Sequence, residues 1–261
     1  MNNSEFNKVN WINIIIFKIF QDYLNLGELK DLSILSKLTR SKLKSTVFKS
    51  IQLMTERKLL DGIFVKSFNS KSYDELNNIV NSDEDEIRNN LDIQNSLSAI
   101  NSEIKDIKHF ANSFYIYDIK RSGQYLSQVI TNFTNLSVLK IHCSTIQFSV
   151  FQKLGEYFPT LKNFELYKVV LSKYSIDSYD SNEIIFPLSL VSLSIWHVDV
   201  TNIGILSEPY KVVFNDSSND ARSGYSLPNI YLPFLKKLQF LRCAVEDNGL
   251  EEFLQTNPNL E

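Results

Sequence analysis

The chain has 261 residues, 43% of them apolar, with 27 Lys and Arg against 30 Asp and Glu and a mean hydropathy of −0.15. That balance excludes a fibre or a membrane-embedded chain and is long enough for one large or two small domains. With a net charge of −3, neither a nucleic acid nor a membrane is expected as a partner.

Residues 1–10 are polar and are predicted to be disordered. From Trp11, the side chains of Ile12, Ile15, Ile16, Ile19 and Phe20 recur at helical spacing and continue to Tyr23 and Leu24. This run contains Asn13 and Lys18 and is too short to span a bilayer. Asp22 and Glu28, rather than a small-residue cleavage site, follow it, so it is not read as a signal peptide. Gly27 reads as a stop. Beyond it, Leu29, Leu32 and Leu35 predict a second short helix, Leu38, Leu43 and Val47 a third, and Phe48, Ile51 and Leu53 a strand-like exit. Three short helices in about forty residues bury little core alone, so they need a neighbour or a partner.

The run from Tyr23 to Leu53, YLNLGELKDLSILSKLTRSKLKSTVFKSIQL, resembles the second half of an F-box. Tyr23 and Leu24 match the family's YL pair and Glu28 and Leu29 its acidic-Leu step. Leu35, Ser36 and Lys37 match its V-S-K segment, and Phe48, Ile51 and Leu53 its exit. The first half departs from the family: Ile12-Asn13-Ile14-Ile15 stands where Leu-Pro-x-Glu is usual, and Thr39 stands where an aromatic is expected. The resemblance implies that residues 11–53 form a helical module that docks on a Skp-type adaptor and, through it, on a cullin scaffold. The expected adaptor-binding residues are Ile12, Ile15, Ile16, Ile19, Leu24, Leu29, Leu32 and Leu35, an apolar set larger than a three-helix unit can cover. The plainer alternative is that these helices cap the open end of a repeat array.

Residues 54–110 read as a helical linker. It carries a solvated acidic loop at 81–90, which lacks the spacing of a calcium loop, and a helix through Ile93, Leu97, Ile100, Ile104, Ile107 and Ala111.

From 111 to 261 the spacing LxxLxL returns. It is carried by Leu136, Leu139 and Ile141, then Leu161, Phe164 and Leu166, then Leu190, Leu193 and Ile195, then Leu235, Leu238 and Phe240. A looser copy lies in Phe114, Tyr117 and Ile119. Starts at 114, 136, 161, 190, 235 and 260 are separated by 22, 25, 29, 45 and 25 residues, and a leucine-rich repeat takes roughly 20–29. Ten and seven residues before three of the starts stand Leu126 and Val129, Phe151 and Leu154, and Leu250 and Phe253, so each unit is predicted to be helix, turn, strand. Pro159, Pro187, Pro233 and Pro258 close the segments before four starts. Ser144, Val169, Val198 and Cys243, three positions after the last apolar residue, are predicted to turn inward. The pattern resembles the cysteine-containing class of leucine-rich repeats, which implies an α/β fold: an irregular solenoid with parallel strands on its concave face and helices outside.

If Leu139 and Ile141 point inward, alternate residues face the concave surface. They form the columns Val138, Asn163, Ser192, Lys237; Lys140, Glu165, Ser194, Gln239; and His142, Tyr167, Trp196, Leu241. The second and third columns are the candidate target-binding residues, with Tyr167 and Trp196 as anchors. The insertion between Ile205 and Tyr231 is long enough either to cover that face or to join the site.

No catalytic motif of the GxSxG, HExxH, P-loop or GxGxxG kind is present, so neither an enzyme nor a cofactor is expected. His142 and Cys143 are strand neighbours whose side chains point to opposite faces and cannot share a metal. Two cysteines without CxxC predict a reducing compartment, cytoplasm or nucleus. NPNLE stops one residue after Leu260, where another copy would begin, which predicts a repeat array cut short. The reading is a substrate-recognition adaptor of an SCF-type ubiquitin ligase that binds an unidentified protein target. The alternative is a repeat scaffold with no ubiquitin link.

Overall fold

The computed structural model describes residues 14, 15, 18–54, 95, 98, 99, 101, 102, 104–117, 129–173, 181–202, 222–241 and 248–261. The expected acidic loop, the expected disordered N-terminus and Ile12, Ile16, Ile93, Leu97, Ile100, Leu126 and Cys243 lie outside them. Three helices open the described chain: α1 (Lys18–Gln21), α2 (Leu26–Ile34) and α3 (Lys37–Val47). Gly27 does not stop a helix; it sits in the first turn of α2. The boundary is set by Asn25, whose side-chain oxygen accepts the Glu28 N–H at 3.0 Å while Glu28 accepts the Asn25 N–H at 2.7 Å. Ser36 and Thr39 repeat this reciprocal cap at the start of α3, again at 3.0 Å in each direction. Each pair satisfies two backbone donors that a helix start leaves free, and losing such a cap costs about 1 kcal/mol. Between the helices, Leu29, Leu43 and Val47 form a small core with Ile15, Leu24, Leu32 and Phe48 against it.

The rest is built on a six-stranded parallel sheet. Its members are β1 (Ser50–Met54), β2 (Ser113–Tyr117), β3 (Val138–His142), β5 (Asn163–Tyr167), β7 (Ser192–Trp196) and β10 (Lys237–Leu241), paired in that order. Leu139, Phe164, Leu193 and Leu238 are direct partners across neighbouring strands, as the triplet alignment requires. Phe114 pairs with Leu139 and Ile116 with Ile141, so the upstream copy is Ala111, Phe114, Ile116 rather than Phe114, Tyr117, Ile119. The expected exit triplet joins the same register: Ile51 pairs with Phe114 and Leu53 with Ile116, which makes β1 an edge strand of the sheet. Alternation then separates two faces. Phe114, Ile116, Leu139, Ile141, Phe164, Leu166, Leu193 and Ile195 are all at most 2% exposed and line one continuous core; burying a large side chain of this kind contributes about 1.5–3 kcal/mol.

A turn precedes β5, β7 and β10, and the same turn recurs at Leu260. Leu161, Leu190, Leu235 and Leu260 donate to the carbonyls of Phe158, Pro187, Leu232 and Asn257, three residues back. Pro159, Pro233 and Pro258 occupy the second position of such turns, where a fixed φ is already correct; Pro187 occupies the first.

A second sheet was not foreseen. β4 (Thr145–Gln147), β6 (Val170–Lys173) and β8 (Asp199–Asn202) run parallel, with β9 (Arg222–Gly224) antiparallel to β8. Each of these parallel strands follows a strand of the first sheet after two residues. The first of the two, Cys143, Lys168 or His197, has φ near +50° (48°, 52° and 51°). Its N–H donates to Tyr167, Trp196 or Leu241 respectively, at 2.8, 2.8 and 2.9 Å. The second, Ser144, Val169 or Val198, is buried as expected. The unit is therefore strand, corner, strand, with short helices behind: α4 (Phe148–Gln152) and α5 (Leu154–Tyr157) in one, α6 (Leu250–Thr256) in another. Phe148, Phe151, Leu154 and Phe253 reach the main core from these helices. The described end of the insertion also departs from expectation. β9 joins the second sheet, and Tyr225 and Leu227 enter the core, so this part does not lie across the open face of the first sheet.

Candidate functional site

The residues that alternate with the core side chains form in-register rows across the first sheet. The middle row runs Gln52, Tyr115, Lys140, Glu165, Ser194, Gln239, and the row at the strand ends places Tyr117, His142, Tyr167, Trp196 and Leu241 side by side. All eight expected target-binding residues therefore share this face. They are not equally available. Ser194 is 8% exposed and its hydroxyl donates to Gln239 at 3.2 Å, so it supports the surface rather than presenting a group.

Glu165 ties the two rows together. One carboxylate oxygen lies 2.7 Å from Lys140 Nζ and the other 2.8 Å from His142 Nε2. Partial burial, the largest single influence, would raise the Glu165 carboxyl; hydrogen bonds from Lys140 and His142 and their charges outweigh it and hold the group below its ordinary value. Lys140 Nζ also sits 5.9 Å from the centre of the Tyr115 ring. In the outer row the ring centres of Tyr117 and His142, His142 and Tyr167, and Tyr167 and Trp196 are 6.4, 5.6 and 6.3 Å apart, tilted at 67°, 63° and 52°. Strand spacing fixes these separations, and the tilted, edge-on contacts join the rings into one row.

Tyr115 and Tyr117 are not among the expected site residues, because the spacing Phe114, Tyr117, Ile119 sets the upstream triplet three residues late and turns Tyr117 inward. Tyr117 is 43% exposed. The signal that would have found it is the 25-residue interval from Ala111 to Leu136, hidden by the small side chain of Ala111.

The helical set divides by burial. Leu29 is 5% exposed, inside the small core, and Ile15, Leu24 and Leu32 pack on it, so these four are engaged within the module. Ile19 lies in α1, with its side chain outside the described detail. Leu35 faces out, and with it Tyr23, Leu26, Ile34 and Leu38, which are not among the expected adaptor-binding residues. The cause is geometric: α3 turns Thr39, Leu43 and Val47 inward and thereby places Leu38 on its far side.

Among the described residues no helix is long and apolar enough to cross a membrane, and no three His, Cys, Asp or Glu side chains gather where a metal would be held. Comparisons with protein-family models, with curated proteins and with solved structures each return no match.

Proposed function

We propose that this chain is a substrate-recognition adaptor of an SCF-type ubiquitin ligase. In this reading the N-terminal module is a divergent F-box that docks on a Skp-type adaptor and, through it, a cullin. The remainder is a leucine-rich-repeat solenoid that holds a protein target on its concave face. The chain performs no chemistry itself; it supplies proximity and orientation to a conjugating enzyme in the cytoplasm or nucleus.

The observation that carries the reading is the order of parts: capped short helices with outward Ile34, Leu35 and Leu38 lead directly into an in-register parallel sheet with an aromatic open face. Outward apolar side chains grouped at one helix junction favour a partner. The second reading, a scaffold whose helices only cap the array, draws on a different fact. β1 pairs with β2 in full register and directly follows α3, so the helices are joined to the sheet's first strand, where a cap would stand.

Co-precipitation with a Skp-type adaptor separates the two. The wild-type chain is expected to retain the adaptor, and Leu35→Asp with Leu38→Asp to lose it without loss of fold, since both side chains are exposed. A wild-type chain that retains no adaptor leaves only the scaffold.

A further inference from the structure

The charges on the open face are not evenly available. Its one carboxylate in the central rows, Glu165, is held by Lys140 on one oxygen and His142 on the other. Lys168 is different: its Nζ hangs 5.4 Å from the centre of the Tyr167 ring and meets no carboxylate among the described residues. Its left-handed φ of 52° sets it at the corner where β5 leaves the sheet, beside the aromatic row. A visiting carboxylate therefore finds an uncommitted cation here, while the carboxylate within the central rows is already held by two donors. The indole Nε1–H of Trp196, one strand over from Tyr167, is buried and has no hydrogen-bond partner among the described residues, so Trp196 offers the rim its ring rather than a donor.

We propose that the rim formed by Tyr167, Lys168 and Trp196 binds a target segment in which a carboxylate adjoins a large apolar side chain. This rests on the reading of the open face as the target-binding surface and names what that surface selects. The apolar group lies on the tilted rings, with Leu241, 45% exposed, extending the platform at the sheet edge. The carboxylate pairs with Lys168.

The test is a titration of the full chain carrying Trp11→Phe, which leaves Trp196 as its one tryptophan emitter. The probes are two capped hexapeptides, Gly-Ser-Asp-Leu-Phe-Gly and the same sequence with Asn for Asp. The acidic probe is expected to shift Trp196 emission saturably and to bind about fivefold more tightly than the amide probe, the upper end for a partly exposed ion pair. Lys168→Gln should remove that preference while leaving the amide probe's affinity unchanged, and Tyr167→Ala should weaken both. Equal affinity for the two probes, a preference that survives Lys168→Gln, or no response up to the solubility limit overturns the proposal. No adaptor takes part in the titration, so its result is independent of the adaptor experiment.

Discussion

His142 and Glu165 stand diagonally on neighbouring parallel strands with Nε2 and Oε1 2.8 Å apart, while Lys140 meets the same carboxylate from the directly opposite position at 2.7 Å. One acid thus balances two donors, and the open face carries no unsatisfied carboxylate at its centre.

That arrangement predicts a specific acid sensitivity. The Glu165 carboxyl is held below its ordinary value of 4.5, so its contribution to stability is fully present above that value and is lost as pH falls through the folded-state pKa. Thermal melts of wild type and Glu165→Gln between pH 6 and 3 should show a constant difference near the top of that range and convergence below 4.5. Parallel curves across the acid range would sink the assignment.

Phe151 is the hub of the aromatic core. It is 1% exposed, and its ring centre lies 5.6 Å from Phe186, nearly perpendicular at 87°, and 5.8 and 5.7 Å from Phe164 and Tyr225. Phe151→Ala is expected to lower unfolding free energy by about 4 kcal/mol, through lost transfer energy plus an unfilled cavity. Phe151→Leu should cost much less. Urea denaturation of the two variants measures both.

Gly155 in α5 is hemmed by backbone. A Cβ there would lie 2.9 Å from the carbonyl oxygens of both Ile185 and Phe186, and neither can move like a flexible side chain. The close approach exists because the Gly155 N–H donates to the Ile185 carbonyl at 2.6 Å. Gly155→Ala should therefore destabilise by about 2 kcal/mol, although alanine is the better helix former. An unchanged denaturation midpoint would show that the segment around Ile185 yields freely.

Cys143 occupies a left-handed corner, φ 48°, without being glycine. The Cβ penalty there is about 1 kcal/mol, while glycine adds flexibility to the unfolded chain. Cys143→Gly should hold or slightly raise the melting temperature and Cys143→Val should lower it, because β-branching is least tolerated at positive φ. The reverse order in calorimetry would contradict the corner geometry.

Much of the sheet was legible because its determinants are local. An apolar triplet at i, i+3 and i+5 reports its own inward face whatever it pairs with, and a proline at the second turn position fixes where the following strand begins. Leu139, Phe164, Leu193 and Leu238 could be aligned from spacing alone. The helical boundaries misled at Gly27, where the true signal was the reciprocal pair Asn25 and Glu28. The second sheet left little trace, since its strands are short and its corners use Cys143, Lys168 and His197, residues that do not announce a left-handed backbone.

By itself the sequence determined which side chains could share a core and which could stand opposite them, because alternation along one strand needs no knowledge of the next. Only the tertiary structure decided which outward residues are free. Ser194 is taken by Gln239, Glu165 by Lys140 and His142, and Leu29 by its own helices, while Leu38 and Lys168 are left to face outward. Availability depends on partners distant in the chain, and a partner's position is fixed by register and packing rather than by anything a residue's own neighbours encode.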